Sequence, residues 1–211
     1  MEETTTYAIT ISRQLGSGAS LIGQYLAKEL GIFYADREII RQTAQKLSMP
    51  EDNLEQREET LLSFWNSFFH INGYSAETHI PPEMNFPFDH ELFDAESEVI
   101  KRIADERSAV IIGRCGFHAL REHPNCINIF LHADTKFRNE RVQQLFNVPE
   151  AEAEKMIVRS DKDREAYCKT FTGKKWGDTQ NYDLTIDTSK VGVENAAKLI
   201  LKYINLRRTQ V

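Results

Sequence analysis

Tyr7-Ala8-Ile9-Thr10-Ile11-Ser12-Arg13-Gln14-Leu15-Gly16-Ser17-Gly18-Ala19-Ser20 is the stretch from which the rest of the chain is read. Through Ser12 it is β-branched and aromatic, a composition that packs well on a pleated surface and predicts a strand. At Arg13 the run gives way to a turn holding Gly16 and Gly18, and glycine takes positive φ without a Cβ penalty. Beyond the turn, Leu21, Ile22, Tyr25, Leu26 and Leu30 recur at helical spacing, with Gly31 as a stop. A strand, a glycine turn and a helix N-terminus in that order can turn backbone N–H groups and the positive end of a helix dipole on one anion.

On this reading Gly16, Ser17, Gly18, Ala19 and Ser20 are the candidate phosphate-binding residues, and the Ser20 hydroxyl is the candidate magnesium ligand. The full Walker A pattern has a first glycine and a lysine before the Ser/Thr. Here those places hold Arg13 and Ala19, so the motif is degenerate. Taken alone, Gly-Ser-Gly after a strand reads equally as a tight turn. Phosphoryl transfer depends on positioning and on neutralising phosphate charge, so without the lysine a cation has to arrive from elsewhere. Arg13 is the first candidate; its other reading is a surface arginine paired with a carboxylate.

Further strands are predicted at Ala109–Ile112, Ile127–Leu131 and Leu184–Ile186, and further helices at Asp36–Leu47, Glu91–Arg107, from Thr135 and over Val193–Leu206. Alternating strands and helices imply an α/β fold with a parallel sheet covered on both faces. With 211 residues, 41% of them hydrophobic, the chain suits a single domain, 1–211. Two parts read as insertions. Residues 36–90 include an irregular excursion with Gly73, Pro81, Pro82 and Pro87, and 142–178 is a charged helical stretch ending in Gly-Lys-Lys-Trp-Gly, which can serve as a lid.

A net charge of -6 leaves no broad basic face, so no nucleic-acid partner is expected. Cys115, Cys126 and Cys168 have neither metal nor redox spacing and point to reduced thiols. With no apolar run of spanning length, no membrane association is expected and a cytoplasmic location is.

Arg114 follows Gly113 at the end of a predicted buried strand, where a parallel sheet binds its ligands. Its planar fork suits an acceptor phosphate, and equally a salt bridge that fixes the loop. Asp36, at the start of a predicted helix, reads as an N-cap. Arg138, Arg141, Arg159, Lys162, Asp163 and Arg164 form a charge pattern in the lid region. In a helix Arg159 and Asp163 are neighbours. Arg159 and Arg164 are the candidate catalytic cations, and a solvated helix face is the alternative. Trp176 is expected to pack beneath the lid, and Leu61, Phe64, Trp65, Phe68 and Phe69 make an aromatic stripe through which 58–90 is a candidate homo-oligomer contact.

Ile9 to Gly18, Gly23 to Gly31, Tyr34-Ala35-Asp36-Arg37-Glu38, Val110-Ile111-Ile112-Gly113-Arg114, Gly173-Lys174-Lys175-Trp176-Gly177-Asp178 and Tyr182-Asp183-Leu184 together resemble the bacterial cytidylate kinase-like family. The resemblance implies a P-loop NTPase three-layer sandwich with a parallel five-stranded sheet, a helical lid and an acceptor-binding insertion. It implies ATP as phosphoryl donor with Mg2+, small-molecule nucleotides as partners, and Asp36, Arg37, Arg114 and Asp163 on the acceptor side. Two departures stand out: Ala19 in place of the lysine, and Cys115 in place of an acidic residue after Gly113-Arg114. They leave two functions to separate, a nucleotide kinase and a nucleotide-binding sensor or scaffold that has lost catalysis.

Overall fold

The computed structural model describes residues 6–35 and 90–208. Five parallel strands run in the order β2-β3-β1-β4-β5. They are β1 (Ala8–Arg13), β2 (Phe33–Ala35), β3 (Ala109–Ile112), β4 (Cys126–His132) and β5 (Leu184–Asp187). The described helices are α1 (Ala19–Leu30), α2 (His90–Glu106), α3 (Gly116–Ala119), α4 (Thr135–Phe146), α5 (Glu150–Thr172), α6 (Thr188–Val191) and α7 (Val193–Arg208).

Because side chains alternate along a strand, each buried strand feeds two cores. Ile9 and Ile11 join Val110, Ile112, Ile129 and Leu131 beneath α1 and α7. Ala8, Ala109 and Ile111 turn the other way, onto Val99, Ile100 and Ile103 of α2 and Ala119 of α3. Helices therefore cover both faces, which is why β3 reads as an unbroken apolar run. Close approach of α1 to the sheet depends on Gly23, where an added Cβ would lie 2.7 Å from Ile112 Cδ1.

A third cluster gathers Phe93, Cys115, Phe117, Phe130, Cys168 and Trp176. Trp176 is buried and stands edge-on to Phe130 with centroids 5.3 Å apart, the packing role expected of it. A fourth cluster closes Val142, Ala153, Met156 and Ile157 over Leu15. The helix α5, inside the expected lid region, and α4, whose last turn enters it, thus lie directly against the glycine turn.

Boundaries moved by a residue or two. Strand β1 extends to Arg13, which pairs in register with Leu131 of β4, so this arginine belongs to the strand end and not to the loop. The helix expected over Asp36–Leu47, the aromatic stripe from Leu61 to Phe69 and the 58–90 contact lie outside the described residues, apart from His90, which opens α2. Among the described residues no helix is long and apolar enough to cross a membrane.

Candidate active site

The turn between β1 and α1 leaves the carboxyl end of the central strand, the edge at which open α/β sheets bind ligands. Gly16 has φ 84° and Gly18 φ 88°, the left-handed region that glycine enters freely. An added Cβ at Gly16 would lie 2.8 Å from the Arg138 carbonyl oxygen, and one at Gly18 would lie 2.6 Å from Val193 Cγ2. The outer side of the turn is therefore packed against α4 and α7.

Every carbonyl from Arg13 to Gly18 accepts a hydrogen bond. Arg164 Nη1 donates to the Arg13 oxygen at 2.9 Å, and Ser17 Oγ to that of Gln14 at 2.8 Å. Arg138 Nη1 donates to the Leu15 oxygen at 3.4 Å, and Arg141 Nε to that of Gly16 at 3.0 Å. Thr188 Oγ1 takes the Ser17 oxygen at 2.9 Å, and the Gly18 oxygen opens the helical ladder to the Ile22 amide at 3.0 Å. With the negative ends of these peptide dipoles engaged, the turn is a candidate anion nest. This arrangement fits a polyphosphate. Ser20 is 2% exposed in the first turn of α1, and its hydroxyl remains the candidate ligand for a magnesium ion. Among the described residues no group of three or more His, Cys, Asp or Glu side chains is arranged to bind a metal.

Arg13 is 8% exposed, which removes the surface-arginine reading. Its guanidinium lies over Gly113 at the end of β3: an added Cβ there would collide with Nη1 and lie 3.0 Å from Cζ. The cation thus projects from the end of β1 toward the end of β3. Arg114, two residues past β3 and at φ 51°, sends Nε to Glu96 Oε1 at 3.2 Å. Glu96 is 2% exposed, and its other oxygen accepts from Tyr167 Oη at 2.8 Å. Burial pushes the Tyr167 hydroxyl well above its ordinary range, so it remains a donor. The salt bridge anticipated as one reading of Arg114 is present, and it joins α2, the β3 loop and α5.

Removing one partner of a buried ion pair strands the other. Glu96→Ala should therefore cost about 3 kcal/mol, toward the low end of the buried-pair range, because Arg114 keeps 24% exposure. Urea denaturation measures it, and a loss below about 1 kcal/mol would put this pair with solvent-screened surface bridges.

On α5, Arg159 Nε sits 3.7 Å from Asp163 Oδ2, the spacing expected one helical turn apart. Both are partly exposed, and Arg164 meets the turn at the Arg13 carbonyl. Asp36 and Arg37 lie outside the described residues. Sequence reasoning passed over Gln14, Asp161, Glu96 and Thr188, and it named Arg138 and Arg141 without assigning them a role. One signal was available for the last two: they stand three apart on one helix, so both can face the same turn. Cys115 and Cys168, 53 positions apart, share the third cluster; their mutual interaction holds the Cys168 thiol low and, with burial, pushes Cys115 up.

Residues 8–190 match the sequence model of the cytidylate kinase-like family. The cytidylate kinase of Saccharolobus islandicus (strain Y.G.57.14 / Yellowstone #1) is 27% identical over 199 residues, covering 94% of this chain and 90% of the relative. That of Sulfurisphaera tokodaii is 24% identical over 198 residues, covering 93% and 94%. Among solved structures, a protein from Eubacterium ventriosum ATCC 27560 superposes with a TM-score of 0.69 at 25% identity, covering 95% of this chain and 99% of that one. A shikimate kinase from Acinetobacter baumannii, bound to shikimate, superposes with a TM-score of 0.52 at 16% identity, covering 96% and 95%. The shared architecture is the three-layer sandwich of P-loop kinases.

Proposed function

The chain belongs to the cytidylate kinase-like family, and on that premise we propose that it transfers the γ-phosphoryl group of ATP to a nucleoside monophosphate of the cytidylate type or a similar small phosphate acceptor. The observation that carries this reading is the turn at 13–18 with its carbonyls engaged from outside. A nest built this way binds phosphate through backbone amides, and such binding does not require the missing lysine.

In the proposed reaction an oxygen of the acceptor phosphate attacks the γ-phosphorus, the bond to the bridging oxygen breaks, and ADP leaves. Gly16, Ser17, Gly18, Ala19 and Ser20 hold the donor phosphates. Ser20 would hold a magnesium ion, which would supply charge neutralisation for the donor phosphates. Arg13 approaches from the strand side and takes up negative charge in the space above Gly113, supplying the cation that Ala19 does not. Arg114, kept in place by Glu96, faces the acceptor phosphate. Asp36, Arg37 and Asp163 are assigned to the acceptor, and Arg159 and Arg164 to the transferring group as the lid closes. The proposal treats 1–211 as one domain with an acceptor-binding insertion at 36–90 and a lid at 142–178. It is a cytoplasmic protein in this reading, with 58–90 as a contact between copies.

A coupled assay of ADP release with magnesium and ATP, across cytidine, uridine, adenosine and guanosine monophosphates and their deoxy forms, is the test. Saturable turnover with the cytidine forms at the highest kcat/KM is the expected result; no turnover with any acceptor would remove the kinase reading. Ala19, and the Gly113-Arg114-Cys115 run without an acidic residue, favour the second reading, a nucleotide-binding sensor or scaffold. It is distinguished by calorimetric binding of ATP in the absence of any transfer.

A further inference from the structure

Asp161 lies midway along α5, and its Oδ2 accepts from Arg138 Nη1 at 2.6 Å and from Gln14 Nε2 at 3.4 Å. Both donors are parts of the phosphate turn or its immediate brace. Gln14 is the second residue past Ser12, and its Oε1 accepts from the Ala133 amide at 3.2 Å, where the chain leaves β4. Arg138 touches the turn twice, with its backbone behind Gly16 and with Nη1 on the Leu15 carbonyl. One carboxylate oxygen therefore collects two of the side chains that hold residues 14 to 16 against α4.

We infer that Asp161 is a positioning residue of the phosphate turn, tying α5 to it through Arg138 and Gln14 so that donor-phosphate binding depends on the helix pair α4 and α5 being docked. The inference rests on the kinase reading for its catalytic consequences, but the tie itself is a property of the protein without ligand. Its form suits coupling. Arg138 is 6% exposed, so its charge depends on a partner, and Asp161 supplies one from a different helix. Arg138 Nε and Asp161 Oδ1 are both buried without a hydrogen bond. The pair is thus held by a single contact, and a fork-shaped second contact is within reach of its chemistry. A contact of this kind, buried and between two elements, ties movement of α5 to the turn.

Asp161→Asn keeps the shape and removes the charge; Asp161→Ala removes both. The expected result for Asp161→Asn is a KM for ATP raised about tenfold, the worth of one charge-assisted hydrogen bond, with the KM for the acceptor changed less than twofold. Asp161→Ala is expected to do more in the same direction. Calorimetric titration with inorganic tripolyphosphate reads the same loss without chemistry. Hydrogen exchange of the ligand-free protein reads the tie directly: the amides of residues 14–18 should exchange faster in both variants while those of β1 and β4 keep their protection. Equal rises in both KM values, or unchanged exchange at 14–18 in the folded Asp161→Asn protein, would overturn the inference. If the native protein binds no nucleotide, the kinase reading fails, and the exchange result still decides the role of Asp161.

Discussion

Gly113→Ala is expected to lower kcat/KM by about a hundredfold while reducing stability only by about 1–2 kcal/mol, and the disparity is the point of the experiment. Gly113 has φ 76°, where a residue with a Cβ costs about 1–2 kcal/mol. The atom that the new methyl would strike first is Arg13 Nη1, the far end of a flexible side chain. The guanidinium can swing aside, so the steric cost to folding is small. What is lost is its place at the ends of β1 and β3. If Arg13 supplies the cation for the transferring phosphoryl group, its displacement should match the removal of one preorganised transition-state donor, about 10²–10³ in rate. Steady-state kinetics paired with thermal unfolding separates the two effects, and Arg13→Ala should give a similar kinetic loss with its backbone unstrained. A Gly113→Ala enzyme with native kcat/KM would show that the guanidinium is not needed there.

Gly16→Ala is expected to fail differently. Its methyl would meet the Arg138 carbonyl oxygen at 2.8 Å and Arg138 Cα at 2.9 Å. These are backbone atoms of a helix that cannot swing away, and φ 84° adds left-handed strain. Overpacking of about 1–3 kcal/mol and backbone strain of about 1–2 kcal/mol fall on the same residue. A total loss of about 2–5 kcal/mol is expected, together with loss of triphosphate binding by at least about a hundredfold. Guanidinium denaturation and calorimetric titration measure both. Gly31→Ala is the control: φ is 64° and nothing lies within 4 Å of the added methyl, so only the strain of about 1–2 kcal/mol should appear, with nucleotide binding unchanged. If Gly16→Ala costs no more than Gly31→Ala, the turn is not pressed against α4.

Glycine placement was legible beforehand because it answers to local rules. Gly16 and Gly18 adopt the positive φ that their position between strand and helix required, and Gly31 caps α1 in the left-handed conformation. The pairing of Arg159 with Asp163 was legible for the same reason, since one helical turn brings i and i+4 together whatever else the fold does. Arg13 was placed one step wrongly. Periodicity showed where the β-branched residues stop, but the ladder to β4 carries the strand one residue further, and only a partner strand can reveal that.

The amino-acid sequence by itself determined the order of strand, glycine turn and helix, the two-faced apolar strands and the parallel α/β class, because periods of two and near 3.6 residues and the conformational freedom of glycine act within a few residues of chain. Tertiary structure alone decided what surrounds the turn. Arg138, Arg141, Arg164 and Thr188 come from 123 to 171 positions away to take its carbonyls, Glu96 reaches Arg114 and Tyr167, and Arg13 settles over Gly113. Such contacts are selected by burial: a charged or polar group enclosed by the sandwich must find a partner, and which partner is nearest depends on how the layers close.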